Sequence, residues 1–212
     1  IQTNNGVEIA DLRERDGFGG VTMEHQAEIE TAYLLINNSP EVGGQPNPMA
    51  DGRVRRALAH ATDNEVLSAT RSAGLFPVAN GPFPPGRAGY LDDTGFPEYD
   101  PDAARALVEE VEAETGEALV IAFKTTTDPF NLTTAELLKE MWEEVGIEVT
   151  IDQIPQGEFI NQALAGNFQV FQWRNHAGGD PDSQYVWWSS TTTAGIALNF
   201  GRIVVAEVDR LL

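Results

Sequence analysis

Cysteine is missing from all 212 residues. Disulfides, thiolate metal sites and cysteine nucleophiles are thereby excluded, although the compartment is not fixed by this alone. No uninterrupted run of about 18 apolar residues occurs, so no transmembrane helix and no direct membrane insertion are expected. Positive charge is scarce: 13 Lys and Arg stand against 33 Asp and Glu, a net charge of -20. Nucleic acids and anionic membrane surfaces attract basic faces, so neither is an expected partner. The acidity suits solubility and the gathering of cations near the surface. What is present is enough to fold. Hydrophobic residues make up 42% of the chain, which supports a packed core in one large domain or two small ones.

Catalytic signatures are also wanting. His25, His60 and His176 lie in unrelated segments with no His-x-x-x-His spacing, so no zinc site is expected. There is no G-x-S-x-G elbow, no P-loop and no G-x-G-x-x-G after a strand. No cofactor or metal is implied. The protein is expected not to be an enzyme. Acidic helix faces such as Glu109, Glu110, Glu112 and Glu114 read as solvated surface.

Local patterns alternate between strand and helix. Residues 31–37 form a short apolar run typical of a strand, and 38–52 a loop rich in Pro, Gly and Asn. Val54, Ala57, Leu58 and Ala61 share one helical face. Asp63 caps a second helix, 64–70. Residues 79–96 are dense in Gly and Pro and predict an irregular surface loop. Asp100-Pro101 opens a helix that ends near Gly116. The continuous apolar run 119–123 predicts a strand buried on both faces. Residues 124–130 read as a loop leading to a helix over 132–145, with Trp142 in its core stripe and Gly146 behind it. Ile147, Val149 and Ile151 alternate as a half-buried strand does. A short helix over 157–165 and a strand over 168–172 follow. This order predicts an α/β fold with its site on loops at strand ends.

One stretch concentrates recognition chemistry. Residues 173–188 carry three of the chain's four tryptophans, with Arg174, Asn175, His176, Gly178, Gly179, Asp180, Asp182 and Tyr185. Gly and Pro forbid a regular helix or central strand there, so the strand is expected to end and a loop to open. Asp180-Pro181-Asp182 is read as a turn in which Asp180 bonds the backbone. The competing reading is an acid–base set of Asp180, Asp182 and His176, as in a hydrolase. Trp173 is open to both a core and a site reading. Tyr185, Trp187 and Trp188 would alternate between two faces if the segment were extended. The expected cleft residues are Trp173, Asn175, His176, Asp180 and Tyr185. Asn37 and Phe130 are further candidates at other strand ends.

Six segments in order resemble the family 5 extracellular solute-binding proteins, the peptide/nickel-type receptors of ABC importers. They are Val54-Arg55-Arg56-Ala57-Leu58 with Ala61 and Asp63; Gly81-Pro82-Phe83-Pro84-Pro85; Tyr99-Asp100-Pro101 with Ala104 and Leu107; the helix running into Gly146-Ile147-Glu148-Val149; Phe168 to Trp173 with Asp180-Pro181-Asp182; and Asn199-Phe200 with Glu207-Val208-Asp209-Arg210-Leu211-Leu212. The matches span about 170 residues; the first thirty are poorly covered. The resemblance implies a type II periplasmic-binding-protein-like lobe, a mixed sheet with flanking helices, as part of an incomplete receptor. It also implies that residues 1–30 are a crossover or remnant of a first lobe, that 31–200 form the second, ligand-binding lobe, and that 201–212 begin a C-terminal region. The abrupt first and last residues lead to the same expectation, a piece of a longer chain.

The implied function is extracytoplasmic capture of a polar solute (a peptide, a sugar or another metabolite) by a monomer, in the periplasm or as a lipoprotein on the outer face of the cell membrane. Delivery to an ABC permease would follow. A ligand sensor of the same fold feeding a signalling receptor is the alternative. The family's peptide receptors hold the peptide amine with an Asp just after the Trp-bearing strand. Here positions 174–177 read Arg-Asn-His-Ala, with no carboxylate before Asp180. That departure points to a ligand bearing acceptors or negative charge.

Overall fold

The computed structural model describes residues 6–15, 30–176, 180–194 and 197–212, with the side chains of Glu30, Asn175 and His176 left out. His25 and positions 177–179 of the recognition stretch lie outside the described residues. A four-stranded mixed sheet organises the chain. Its strands are β1 (Glu30–Ile36), β4 (Val120–Thr126), β5 (Glu148–Ile154) and β6 (Val170–His176), in the order β1-β6-β4-β5. The β4–β5 and β4–β6 pairs are parallel, and β1 runs antiparallel to β6. A separate small hairpin joins β2 (Glu41–Val42) to β3 (Gln45–Pro46).

Alternation along β1 and β6 divides the core in two. On one face, Leu34 and Ile36 join Ile121, Phe123, Val149 and Val170 beneath the helices α2 (Gly52–Ala61), α4 (Pro101–Thr115) and α5 (Pro129–Glu143). On the other, Tyr33, Leu35, Phe171 and Trp173 pack with Phe159 and Ala163 of α6 (Gln156–Ala165) and with Phe200. Trp142 of α5 is fully enclosed, 5.4 Å from the Phe123 ring. Its indole N–H donates to Thr62 Oγ1 at 3.0 Å, and the Thr62 hydroxyl donates to Leu58 O at 2.7 Å. A large aromatic can be buried here because its one polar atom is satisfied.

Aspartate caps set the helix starts. Asp63 accepts from Glu65 N and Val66 N ahead of α3 (Asn64–Ser72). Asp100 accepts from Ala103 N ahead of α4. Asp128 accepts from Phe130 N and Asn131 N ahead of α5. Such a cap contributes about 1 kcal/mol. At the other ends, Gly116 and Gly166 turn into the left-handed region, with φ of 73° and 71°, where a Cβ is penalised.

Three local expectations are corrected, and one conditional reading is decided. Helix α5 begins at Pro129, not at 132, because Asp128-Pro129 repeats the cap-plus-proline start of Asp100-Pro101. Strand β4 is not buried on both faces: Val120 is 45% exposed and Ala122 and Lys124 are half-buried. On the sheet's second face Lys124 Nζ reaches α6, donating to Gln162 Oε1 and to Asn167 O. Strand β6 continues through Trp173 to His176 because β1 pairs with it all the way, up to Glu30 opposite His176. Tyr185–Trp188 is one helical turn, α7, not an extended segment.

The outer segments pack against this body. Gly6 of α1 (Gly6–Glu14) lies so close to α3 that an added Cβ would meet Ser72 at 2.7 Å. Asp209 of α8 (Ala206–Leu211) accepts from Ser190 N at 2.8 Å, and Asn199 Nδ2 donates to Ile203 O at 2.8 Å. Contacts therefore cross both of the expected domain boundaries.

Candidate functional site

The carboxyl ends of β4 and β6 open beside the first turn of α5 and the last turn of α3. Open α/β sheets bind ligands at this edge, where helix N-termini and strand ends leave polar groups exposed to one cleft. A side-chain ladder crosses it here. Thr125 Oγ1 donates to Gln172 Oε1 (3.1 Å), Gln172 Nε2 to Asn131 Oδ1 (3.2 Å), and Asn131 Nδ2 to Thr126 Oγ1 (2.8 Å). Two strands and one helix are thus joined by a chain that fixes its own orientation.

Phe130, next to Asn131 in the first turn of α5, meets Arg71, the basic residue in the last turn of α3. Its guanidinium carbon is 4.9 Å from the Phe130 ring centroid, a cation–π distance. Its Nε is enclosed and, among the described residues, has no hydrogen-bond partner. Burial lowers the Arg71 pKa, and the positive charge of Arg174 lowers it further. Arg174 is exposed, two residues beyond Gln172 on β6, and so projects from the same sheet face.

The residues expected from sequence divide between regions. Phe130 sits in the first turn of α5 at this edge, 37% exposed. Asn175 and His176 occupy the last positions of β6, opposite Thr31 and Glu30; their side chains lie outside the described residues. Trp173 faces the other side of the sheet. It is half-buried, stacked on Phe159 at 5.4 Å and edge-on to Phe200 at 5.3 Å.

Asp180 is exposed and caps a 3₁₀ turn, its Oδ1 accepting from Asp182 N at 3.0 Å. The turn reading of Asp180-Pro181-Asp182 holds. Tyr185 shares a hydrogen bond with Thr191 Oγ1 at 2.9 Å, and bonding to Ser189 and Thr191 lowers its pKa.

Asn37 lies at the opposite end of the sheet and is fully buried. Its amide donates to Gly166 O (2.8 Å) and Phe168 O (3.0 Å), and its Oδ1 accepts from Ser39 N (2.9 Å). All of its reach is spent on the framework. Sequence reasoning overlooked Arg71, Thr125, Asn131 and Gln172. The Asp128-Pro129 helix start was the available signal, since it places Phe130 and Asn131 over the ends of β4 and β6. Arg71 gave none, because a basic residue in a last helical turn is ordinary.

An apolar recess of about 240 Å³ also opens along the outer edge of β1, lined by Tyr33, Leu35, Trp187, Leu198 and Phe200, with Arg55 at its margin. It is distinct from the polar edge.

The chain was compared with known proteins. Residues 1–196 match the family model for bacterial extracellular solute-binding proteins, family 5. The dipeptide-binding protein of Escherichia coli is 28% identical over 179 residues, covering 82% of this chain and 32% of that protein. Heme-binding protein A of Haemophilus influenzae is 24% identical over 209 residues, covering 96% and 37%. The chain thus spans about a third of these relatives' length. Among solved structures, the periplasmic binding protein DppA of Helicobacter pylori in complex with the peptide STSA superposes with a TM-score of 0.81. It is 20% identical, with 98% of this chain and 39% of that one covered. HbpA2 of Haemophilus parasuis superposes with a TM-score of 0.80 at 22% identity, with 100% and 40% covered. These likenesses establish the fold as a type II periplasmic-binding-protein lobe with a mixed sheet and flanking helices. The chain belongs to the family 5 bacterial extracellular solute-binding proteins.

Proposed function

We propose that this chain is the second lobe of a receptor that captures a polar solute outside the cytoplasmic membrane and passes it to an ABC permease. The receptor is a monomer, soluble in the periplasm or anchored by lipid. Its mechanism is hinge closure over the ligand, with desolvation strengthening each polar contact, and no covalent chemistry. The observation that carries the reading is the Thr125–Gln172–Asn131–Thr126 ladder. It lies at the carboxyl edge of a sheet in a family 5 chain. Such a ladder presents fixed donors and acceptors with little left to reorganise when ligand arrives.

Phe130 and the Asn175–His176 strand end belong to the cleft in this reading. Trp173 steadies β6 from behind through Phe159 and Phe200, and Asn37 holds the far end of the sheet. Asp180 and Tyr185 shape the segment that follows β6. Peptides are one solute class to test, since several relatives carry dipeptide or tripeptide in their names; heme in another name widens the range. An acid–base role for Asp180 has no support, because its carboxylate is engaged with its own turn.

Isothermal titration of the full-length receptor with peptide, sugar and organic-acid panels tests the proposal. Saturable binding of one solute class by one molecule per receptor is expected. Substrate turnover by the receptor alone would contradict it.

A further inference from the structure

We infer that the loop between α3 and α4, residues 73–99, docks on the receptor's other lobe and stabilises the closed form. The inference rests on the two-lobed reading above and deepens it by naming a surface that regulates closure without facing the ligand.

The loop holds large apolar side chains in water. Leu75, Phe76, Val78, Leu91 and Phe96 are exposed, Phe76 by 48% and Leu91 by 61%. Apolar residues scattered singly over a surface are ordinary, but a group on one segment marks an interaction site. Hydrogen bonds fix the loop in this form. Asn80 Nδ2 donates to Leu91 O at 3.0 Å and to Asp92 O at 2.9 Å, and the Thr94 hydroxyl donates to Asn80 O. The two arms are thereby tied together, with Val78 and Leu91 on either side of the tie. Ser68 Oγ donates to Phe76 O at 2.8 Å, which pins the first arm to α3. Phe83 is spent inside the loop, where it lies so close to Gly89 that an added Cβ would meet its ring at 2.9 Å. Phe76 and Leu91 have no such use. A surface held rigid before contact loses little entropy when a partner covers it.

The loop borders the carboxyl edge of the sheet. It leaves α3 just after Arg71, which meets Phe130 there. Thr31 Oγ1, near the start of β1, donates to Pro82 O at 3.5 Å, and Thr31 pairs with Asn175 near the end of β6. In a two-lobed receptor the other lobe faces this edge.

Size and charge select that occupant. A stable complex of separate proteins takes about 800 Å² and 20–30 residues from each side, whereas the two arms offer a handful of apolar side chains. A lobe joined by the chain itself needs far less, because its effective concentration is already high. The chain spans about a third of its relatives' length, so that lobe lies outside it. A second copy would bring a further charge of -20 against this one.

The test uses the full-length receptor, wild type and F76S/L91S, with Ala-Ala, maltose and succinate as probes. Calorimetry gives affinity and small-angle scattering gives the compaction on binding. A solute that needs the closed form loses apparent affinity as that form is depopulated, so F76S/L91S should bind the best probe about three- to tenfold more weakly. Its compaction should be smaller, and its urea midpoint without probe unchanged. Hydrogen exchange at residues 75–79 and 90–92 should slow when the wild type binds. Where F76S/L91S does not fold, L91S alone carries the comparison.

Equal affinity and compaction in the two proteins overturn the inference while the solute-receptor reading stands. Equal affinity with lost stimulation of the importer's ATPase assigns the loop to the permease and overturns it. Self-association of the wild type that F76S/L91S abolishes assigns it to a second copy and overturns it too. A wild type that neither binds nor compacts with any probe overturns both readings.

Discussion

The Arg71 guanidinium carbon lies 4.9 Å from the centroid of the Phe130 ring, joining the last turn of α3 to the first turn of α5. Two helices far apart in sequence meet there over the ends of β4 and β6. The contact makes Phe130 a support for the cation, and the proposed function also gives the ring a place facing the ligand. F130A should lower affinity for the best-bound solute several-fold. It should change the unfolding free energy by no more than about 1 kcal/mol, the size of a partly exposed cation–π contact. Titration and urea denaturation of the full-length receptor check the two effects separately.

Asn37 should behave oppositely. Its side chain makes three framework hydrogen bonds and is fully buried. N37L leaves two carbonyls and one N–H without partners, costing about 2–4 kcal/mol. Solute affinity of the folded fraction should be unchanged. A large loss of affinity with normal stability would place Asn37 in the cleft after all.

Trp142 and Thr62 form a buried pair. T62V leaves the indole N–H unpaired and should destabilise by about 1–3 kcal/mol. W142F should cost less than W142A, for which about 3–5 kcal/mol is expected. A double-mutant cycle of T62V with W142F should return a coupling near 1 kcal/mol. Additive effects would mean that the hydrogen bond is absent in solution.

The strand and helix pattern was legible because apolar spacing and Asp–Pro starts are local signals. The Asp100-Pro101 start and the glycine ends at 116 and 166 read directly. Strand β6 past Gln172 did not, because its extension depends on pairing with β1, some 140 positions away. The two-sided burial expected of β4 failed for a related reason: which helix covers a face is a tertiary fact. Of the candidate edge, the sequence pointed to Phe130 and to the end of β6 but not to the residues that meet them. Asn175 and His176 were singled out by composition, whereas Arg71 reaches Phe130 only once α3 and α5 are packed together. Asn37 looked like a strand-end ligand residue and became a staple because Gly166 and Phe168 return to it.

Acid should act partly through Asp51. A hydrogen bond from the Arg53 side chain leads the causes that hold its carboxyl below its usual value. A carboxylate with a depressed folded-state pKa stabilises above its unfolded value, and that stabilisation fades as pH falls through the lower folded one. Stability of the wild type should therefore fall below the ordinary Asp range more steeply than that of D51N, measured by urea midpoints across acid pH. Parallel curves would show that the pair contributes nothing to folding.

Hydrogen exchange on the full-length receptor, free and saturated with whichever probe binds, tests the central claim most directly. A solute held at the carboxyl edge of the sheet predicts slowed exchange in the segments around Arg71, residues 125–131 and residues 172–176. Unchanged exchange there, with protection along the outer edge of β1 near Tyr33 and Phe200, would contradict it.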